Sequence, residues 1–153
     1  MEASGSSSLS SPSRGFSMLE VVLTLAMAAV LAAYAVPSYR AYAARGHRID
    51  AVIALHRAAR YIAANAFAPG SMPGLAPGLD RVPEHGRVVY RLELSPAAEA
   101  SGGYELRAMP VDGGPMQGDG CGTFVLDGLG MRSNLGPSVD GASVERCWSG
   151  RAA

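Results

Sequence analysis

The sequence lacks the residue patterns of an enzyme and of a general nucleic-acid-binding protein. It has no lysine, and its thirteen arginines are balanced by thirteen acidic residues, so the net charge of zero gives no overall attraction for nucleic acid. It contains no recognisable catalytic triad, phosphate-binding loop or metal-ligand cluster. No acid or cysteine stands at ligand spacing from the three histidines, which are expected at the surface (His47, His56 and His85). We therefore expect a non-enzymatic protein with no cofactor and no metal.

Glycine and proline are scarce in only one part of the chain. Residues 16–68 contain just two of them, Pro37 and Gly46, whereas residues 69–153 contain 24. The first composition favours a long helix and the second favours strands joined by turns. A chain of 153 residues has room for one small core. We expect an α+β fold in which a long N-terminal helix packs on a small antiparallel sheet.

Charge is absent from Val21 to Tyr39, a run of 19 residues. As a helix this run is about 28 Å long, close to the thickness of a bilayer core. A buried helix of a soluble domain is the weakest interpretation, because the turn-rich remainder could hardly cover it on all sides. A cleaved secretory signal is favoured by Ala33-Tyr34-Ala35. Glu20 and the helix-forming sequence that continues to Phe67 instead favour a retained membrane anchor.

The predicted helix, Phe16–Phe67, is amphipathic in its second half. Its apolar residues recur at three- and four-residue spacings and are expected to cover the sheet: Tyr42, Ile49, Val52, Ile53, Leu55, Ala59, Ile62 and Ala66.

Charge is unevenly divided along the chain. Residues 40–60, called here the basic stem, hold five arginines and one acid, whereas residues 61–153 hold seven arginines and ten acids. The basic stem could contact an acidic part of another subunit, lie at anionic lipid headgroups, or be a solvated helix face. By the positive-inside rule its arginines would place the following residues in the cytoplasm, while the cysteines indicate export.

The C-terminal part predicts a loop followed by strands. Residues 69–86 are rich in glycine and proline and predict a connecting loop. Four strands are predicted after it: Arg87–Leu94, Gly103–Pro110, Cys121–Asp127 and Met131–Ser133. Because they follow one another across turns, an antiparallel meander is the simplest sheet.

Cys121 and Cys147 are the only two cysteines. No CxxC pattern surrounds them, so a structural disulfide is favoured over two buried free thiols. Closing a loop of this size would stabilise the fold by about 3.5 kcal/mol in the chain-entropy model. Such a bond implies an oxidising compartment and therefore export.

The segment Arg14–Glu20 (RGFSMLE), followed at once by the apolar run, resembles the processing motif of type IV prepilins. In that family a membrane aspartyl peptidase cuts after the glycine and methylates the new amino terminus. The resemblance implies cleavage between Gly15 and Phe16, N-methylation of Phe16, and a role for Glu20 in subunit assembly. It also assigns Pro37 to a helix kink.

The segment Tyr104–Trp148 resembles PilE-like minor pilins, whose relatives include ComP-type DNA-uptake pilins. The matching elements are Tyr104-x-Leu106-x-Ala108, Gln117-x-Asp119-x-Cys121-Gly122, the turn Leu126–Gly130 and Cys147-Trp148. The resemblance implies a type IV pilin fold with an α/β-roll head and a segment bounded by a Cys121–Cys147 disulfide.

Both resemblances together imply a minor pilin with five segments. These are a leader cleaved from residues 1–15, a transmembrane and assembly half-helix over 16–39, an amphipathic half-helix over 40–68, the loop 69–86 and a sheet head over 87–153. The expected partners are other pilins, prepilin peptidase, the inner-membrane assembly platform and the membrane. The protein is expected in the bacterial inner membrane before assembly and then in a pilus at the cell surface.

Two other functions remain open at this point. A type II secretion pseudopilin would have the same anchor, although the Cys121–Trp148 pattern argues against it. A ComP-like DNA receptor would need a basic surface, yet the segment Cys121–Cys147 has two arginines against three acids.

Overall fold

The computed structural model describes residues 15–65, 74–136 and 141–151, and it divides into two units between Ser38 and Tyr39. Most of the predicted leader, and the junction of helix and loop at residues 66–73, lie outside the described residues. In chain order the elements are α1 (Met18–Ala64), β1 (Arg81–Val82), β2 (Tyr90–Pro96), a short 3-10 helix (Glu99–Ser101), β3 (Tyr104–Pro110), β4 (Thr123–Asp127), β5 (Arg132–Leu135) and α2 (Gly141–Trp148). This is the predicted α+β arrangement of one long helix and one sheet.

The sheet is the predicted antiparallel meander, in the order β1-β2-β3-β4-β5. Leu92 stands opposite Ala108, and Ala108 stands opposite Phe124, so one buried row crosses the three central strands. Alternate residues of a strand point to opposite faces, and therefore one face of the sheet contributes to the core.

Several predicted strand boundaries are wrong by two or three residues. The second strand begins at Tyr90 rather than Arg87. Before it, the amide of Val89 donates to the carbonyl of Val82 at 2.7 Å outside the regular ladder. The predicted loop 69–86 also contains β1, a two-residue strand that ends just before Pro83 and is too short to give a periodic signal.

The inner face of α1 agrees only in part with the predicted stripe. Leu55 is fully buried, and Val52, Ala59 and Ile62 are partly buried against the core. Tyr42 and Ile53 are instead 76% and 51% exposed, and Ala66 is outside the described residues. The buried residues of α1 are Arg48, Ala51, Leu55 and Ala58, which recur at three- and four-residue spacings. Two of these four residues are alanines and one is an arginine, so a pattern of large apolar residues does not predict this face.

The second helix was not predicted. In α2, Val144, Cys147 and Trp148 recur at spacings of three and four, and all three contribute to the core or pack against it. With only eight residues, this periodic signal was too short to stand out in a glycine-rich region.

Two turns at one end of the sheet meet through glycine backbones. A Cβ on Gly102 would lie 2.5 Å from the carbonyl carbon of Gly128. The amide of Gly128 donates to the carbonyls of Ser101 at 2.9 Å and Tyr104 at 3.0 Å. Both Gly102 and its neighbour Gly103 have positive φ, but a Cβ on Gly103 would meet nothing within 4 Å.

Gly102 and Gly103 form a matched pair for mutation. We expect Gly103→Ala to lower the free energy of unfolding by about 1–2 kcal/mol, the cost of the left-handed backbone alone. Gly102→Ala carries the same cost plus the steric overlap with Gly128, and we expect a further loss of about 1–3 kcal/mol. Chemical denaturation of the two variants measures the difference. Equal losses would contradict close packing of the two turns.

Candidate functional site

The N-terminal unit presents an apolar helical surface. Every described residue from Gly15 to Ser38 is exposed, including large apolar side chains such as Phe16, Leu19 and Leu31. The helix α1 is long and apolar enough to cross a membrane. Glu20 lies in its first turn, and no ion pair to another described residue is found for it. An exposed apolar surface of this length requires lipid or other protein around it.

Pro37 lies inside α1, which continues on both sides of it. Proline has no N–H, so the helical hydrogen bond to the carbonyl of Ala33 cannot form. The helix kink assigned to Pro37 stays a prediction.

The predicted disulfide joins Cys121 to Cys147, with the Cα atoms 5.7 Å apart. Both cysteines are fully buried. The bond ties α2 to the segment that leads into β4, and it thereby closes the C-terminal segment onto the sheet. The separation of 26 residues is the basis of the loop-closure stabilisation expected from the sequence.

A buried ion pair joins α1 to the disulfide region. The guanidinium of Arg48 donates from Nη2 to Oδ2 of Asp119 at 2.5 Å and from Nε to Oδ1 at 3.1 Å. Its Nη1 donates to the carbonyl of Gly150 at 3.2 Å. Oδ1 of Asp119 also accepts the amide of Cys121 at 3.1 Å. Arg48 thus connects the helix to both ends of the disulfide-bounded segment.

Sequence reasoning missed this pair. Arg48 was counted among the arginines of a basic stem, yet its side chain is only 8% exposed and that of Asp119 11%. The available signal was the position of Arg48 three residues before Ala51 and seven before Leu55, on the buried face. Nearby, the hydroxyl of Tyr90 is buried with no hydrogen-bond partner among the described atoms. Burial, and then the charge of Asp119, raise the pKa of Tyr90.

An aromatic cluster surrounds the only tryptophan. Trp148 meets Phe124 and His56 edge-on, with ring centroids 5.8 and 6.0 Å apart. Its Nε1 donates to Oδ1 of Asn134 at 2.9 Å, and the guanidinium of Arg132 lies 5.3 Å from the ring centroid. Trp148 is therefore a structural centre that joins α2, β4, β5 and α1.

His56 was expected to be a surface residue, and the structure places it partly buried against Trp148. Its pKa lies below the ordinary value because burial disfavours the charged imidazolium, and the positive charges of Arg132 and then Arg60 act in the same direction. Its surroundings therefore favour the neutral ring over the imidazolium.

Within residues 15–65, 74–136 and 141–151, no group of three or more His, Cys, Asp or Glu side chains could hold a metal ion. The two arginines between the cysteines make contacts within the chain, since Arg132 covers Trp148 and Nη2 of Arg146 donates to Oγ of Ser143 at 3.0 Å.

Comparison with known proteins shows a family and a solved structure to which this chain is similar. Residues 37–125, more than half of the chain, match a family model described as "Type IV minor pilin ComP, DNA uptake sequence receptor". No curated protein sequence matches significantly. A solved chain described as "High-Resolution Structure of a Type IV Pilin from Shewanella oneidensis" is 26% identical to this chain, with a TM-score of 0.38, and the match covers 63% of this chain and 98% of that one.

Proposed function

We propose, for a chain that belongs to the family of the type IV minor pilin ComP, that residues 16–39 first anchor it in the bacterial inner membrane and then pack among the helices of other pilins. The protein is a minor structural subunit of a type IV pilus, and its family and fold are structural rather than enzymatic. The observation that carries the proposal is the fully exposed apolar surface of the N-terminal unit. Lipid covers this surface before assembly, and neighbouring helices cover it afterwards.

Processing is the first step of this proposal. Prepilin peptidase cuts between Gly15 and Phe16 and methylates the new amino group of Phe16. Support comes from the position of Gly15, Phe16 and Ser17, which precede the first residue of α1 and are exposed. An exposed segment outside regular secondary structure is accessible to a peptidase.

Assembly through Glu20 is the second step. After cleavage, the amino group of Phe16 and the carboxylate of Glu20 are opposite charges at the start of one apolar helix. A charge surrounded by hydrocarbon is costly unless it is paired, so Glu20 favours a neighbouring subunit that offers an amino terminus at the same depth. The inner-membrane assembly platform would bring the subunits together.

The head would lie outside the cytoplasm. Cys121 and Cys147 form a disulfide, and such bonds persist in the periplasm and at the cell surface. We therefore place the C-terminal unit in the periplasm before assembly and on the pilus afterwards, where it supports twitching motility, adhesion or DNA uptake.

The mass of the mature chain tests the proposal. We expect intact-mass measurement on isolated membranes to give a chain that begins at Phe16 and carries one extra methyl group. Gly15→Leu should leave the full-length mass, because the peptidase requires a small residue before the cut, whereas Ser17→Ala should be processed normally. A chain that begins at Val36 would instead mean that a signal peptidase cut after Ala35 and removed the anchor, which would contradict the proposal.

A DNA-receptor role is the second candidate, and the description of the family model favours it. The contacts of Arg132 and Arg146 within the chain argue against a DNA surface on the segment between the cysteines, because such a surface needs cations free to reach phosphates. Retardation of a DNA duplex by the purified chain at low salt would support this role, and its absence would remove it.

A further inference from the structure

Pilus assembly does not explain the arginines that follow the apolar segment. Arg40, Arg45 and Arg48 all lie within nine residues of Tyr39. If the C-terminal unit is outside the cytoplasm, these positive charges are on the side of the membrane where the positive-inside rule predicts the fewest. The charge of Arg48 is paired with Asp119, whereas Arg45 has no such partner among the described residues. We propose that Arg45 and Arg151 bind the phosphate of an anionic phospholipid while the subunit is held in the membrane.

A small hollow brings these two arginines together. It has a volume of about 140 Å³ and lies between α1 and the turn after α2. Its lining residues are Ala41, Ala44, Arg45, Arg48, Gly150 and Arg151. The two alanines leave room beside the helix, and Arg45 and Arg151 are both exposed. This site, called here the arginine hollow, lies entirely within the C-terminal unit.

The end of α2 fixes the position of Arg151. The amide of Gly150 donates to the carbonyl of Cys147 at 2.9 Å. The amide of Arg151 donates to the carbonyl of Arg146 at 2.8 Å. These two bonds and the positive φ of Gly150 form a Schellman motif. A Cβ on Gly150 would lie 2.8 Å from Cδ1 of Ile49. Glycine is therefore needed for this turn to approach α1 so closely.

Two of the three arginines in the hollow, Arg45 and Arg151, have no ion pair within the described part of the chain. Arg48 is paired with Asp119 and also donates to the carbonyl of Gly150. No described carboxylate lies within 4 Å of the charged nitrogens of Arg45 or Arg151. The Nε of Arg151 donates to Oγ of Ser149 at 3.1 Å, which leaves its other N–H groups available. Two guanidinium groups beside one small hollow suit a phosphate, because each can donate two parallel hydrogen bonds.

The position of Arg45 along the chain favours a lipid over another source of phosphate. Arg45 is six residues after the end of the apolar run, so even a fully extended chain keeps it within about 20 Å of that end. Tyr39 and Tyr42 are 73% and 76% exposed, and tyrosine is enriched at membrane interfaces. Basic residues next to a membrane-spanning helix attract anionic headgroups. The inference rests on the proposed function, since it requires residues 21–39 to span the membrane.

Energy transfer from Trp148, the only tryptophan, provides the test. Trp148 is three residues from Arg151 and acts as the donor. The full chain is placed in phosphatidylcholine vesicles with a small fraction of dansyl-labelled phosphatidylglycerol or, separately, dansyl-labelled phosphatidylcholine. We expect stronger transfer to the anionic lipid. Arg45→Gln should reduce this preference about fivefold, the loss expected for one interfacial cation, and Arg151→Gln should act similarly.

Arg40→Gln is the matched control, because it removes the same charge closer to the apolar run but outside the hollow. The inference predicts a smaller effect for Arg40→Gln than for Arg45→Gln. An equal or larger effect would mean diffuse attraction and overturn it. Loss of the preference on adding millimolar inorganic phosphate, at constant ionic strength, would assign the hollow to a free ion and also overturn it. If the wild type shows no lipid preference, the inference is also contradicted. An acidic group of another subunit would then be the remaining partner for the hollow.

Failure of the anchor can be distinguished from failure of the inference. A chain that an alkaline wash removes from the vesicles contradicts the membrane anchor, and the inference falls with it. A chain that resists the wash and shows no lipid preference contradicts the inference alone.

Discussion

Replacing Asp119 with alanine is expected to lower the free energy of unfolding by about 3–5 kcal/mol. The substitution leaves the guanidinium of Arg48 buried without its carboxylate, and an uncompensated buried charge is strongly destabilising. It also removes the acceptor of the Cys121 amide. Chemical denaturation of the detergent-solubilised full chain, with the disulfide intact, measures this loss.

Two further variants show that the loss comes from burial of the charge. In the exposed pair Arg57–Glu84 the nitrogen and oxygen are 3.7 Å apart and both side chains are more than half exposed. Arg57→Ala should therefore cost less than about 1 kcal/mol. Adding Arg48→Met to Asp119→Ala removes the unpaired charge and should restore part of the stability, since an apolar side chain of similar length can replace a buried ion pair.

The double variant tests whether the unpaired charge of Arg48 causes the loss of stability in Asp119→Ala. If Arg48→Met makes the Asp119→Ala protein less stable still, the arginine is not an uncompensated charge in the single variant. In that case the contacts of its side chain, and not the ion pair, would account for the stabilisation.

The parts of the fold with a strong periodic signal could be predicted from the sequence. The uncharged run Val21–Tyr39 and the alternation in Gly103–Pro110 predict the long helix and a central strand, which the structure has at Met18–Ala64 and Tyr104–Pro110. The disulfide also followed from the sequence, because only one pairing of two cysteines exists within the chain. These predictions depended on composition and spacing, which are properties of a short stretch of chain.

The ion pair and the aromatic cluster depend on contacts between distant residues. Arg48 and Asp119 are 71 positions apart. The spacing of Arg48 to Ala51 and Leu55 indicates its helix face, but nothing near it in the sequence indicates its partner. Likewise, His56 is partly buried because α2 brings Trp148 against it. The inner face of α1 is predicted only in part for a related reason, because Ala51 and Ala58 are fully buried although their small side chains give a weak apolar signal.

Loss of Glu20 is expected to have the largest functional effect. In the proposed assembly the carboxylate of Glu20 pairs with the amino terminus of a neighbouring subunit inside an apolar layer. Removing it leaves that amino group unpaired, at a cost of about 3 kcal/mol for a charge in hydrocarbon. A difference of this size corresponds to a reduction of about a hundredfold in an equilibrium constant, since 1.36 kcal/mol is a factor of ten. Because other helix contacts remain, we expect a loss of at least about tenfold.

Thr24→Ala is the matched control for this variant. Thr24 lies one turn after Glu20 in α1, and its hydroxyl donates to the carbonyl of Val21 at 2.9 Å within the same helix. Its removal changes the size and polarity of a nearby side chain without changing the charge. We expect normal processing for both variants and normal incorporation for Thr24→Ala.

The amount of this protein in sheared pili, relative to the amount of processed chain in the membrane, tests the central claim most directly. The proposed function predicts that the wild type and Thr24→Ala are recovered in sheared pili, and that Glu20→Ala is processed but at least about tenfold depleted from them. Recovery of Glu20→Ala at the wild-type ratio would contradict assembly through Glu20. Absence of the wild-type chain from pili would contradict its role as a pilus subunit.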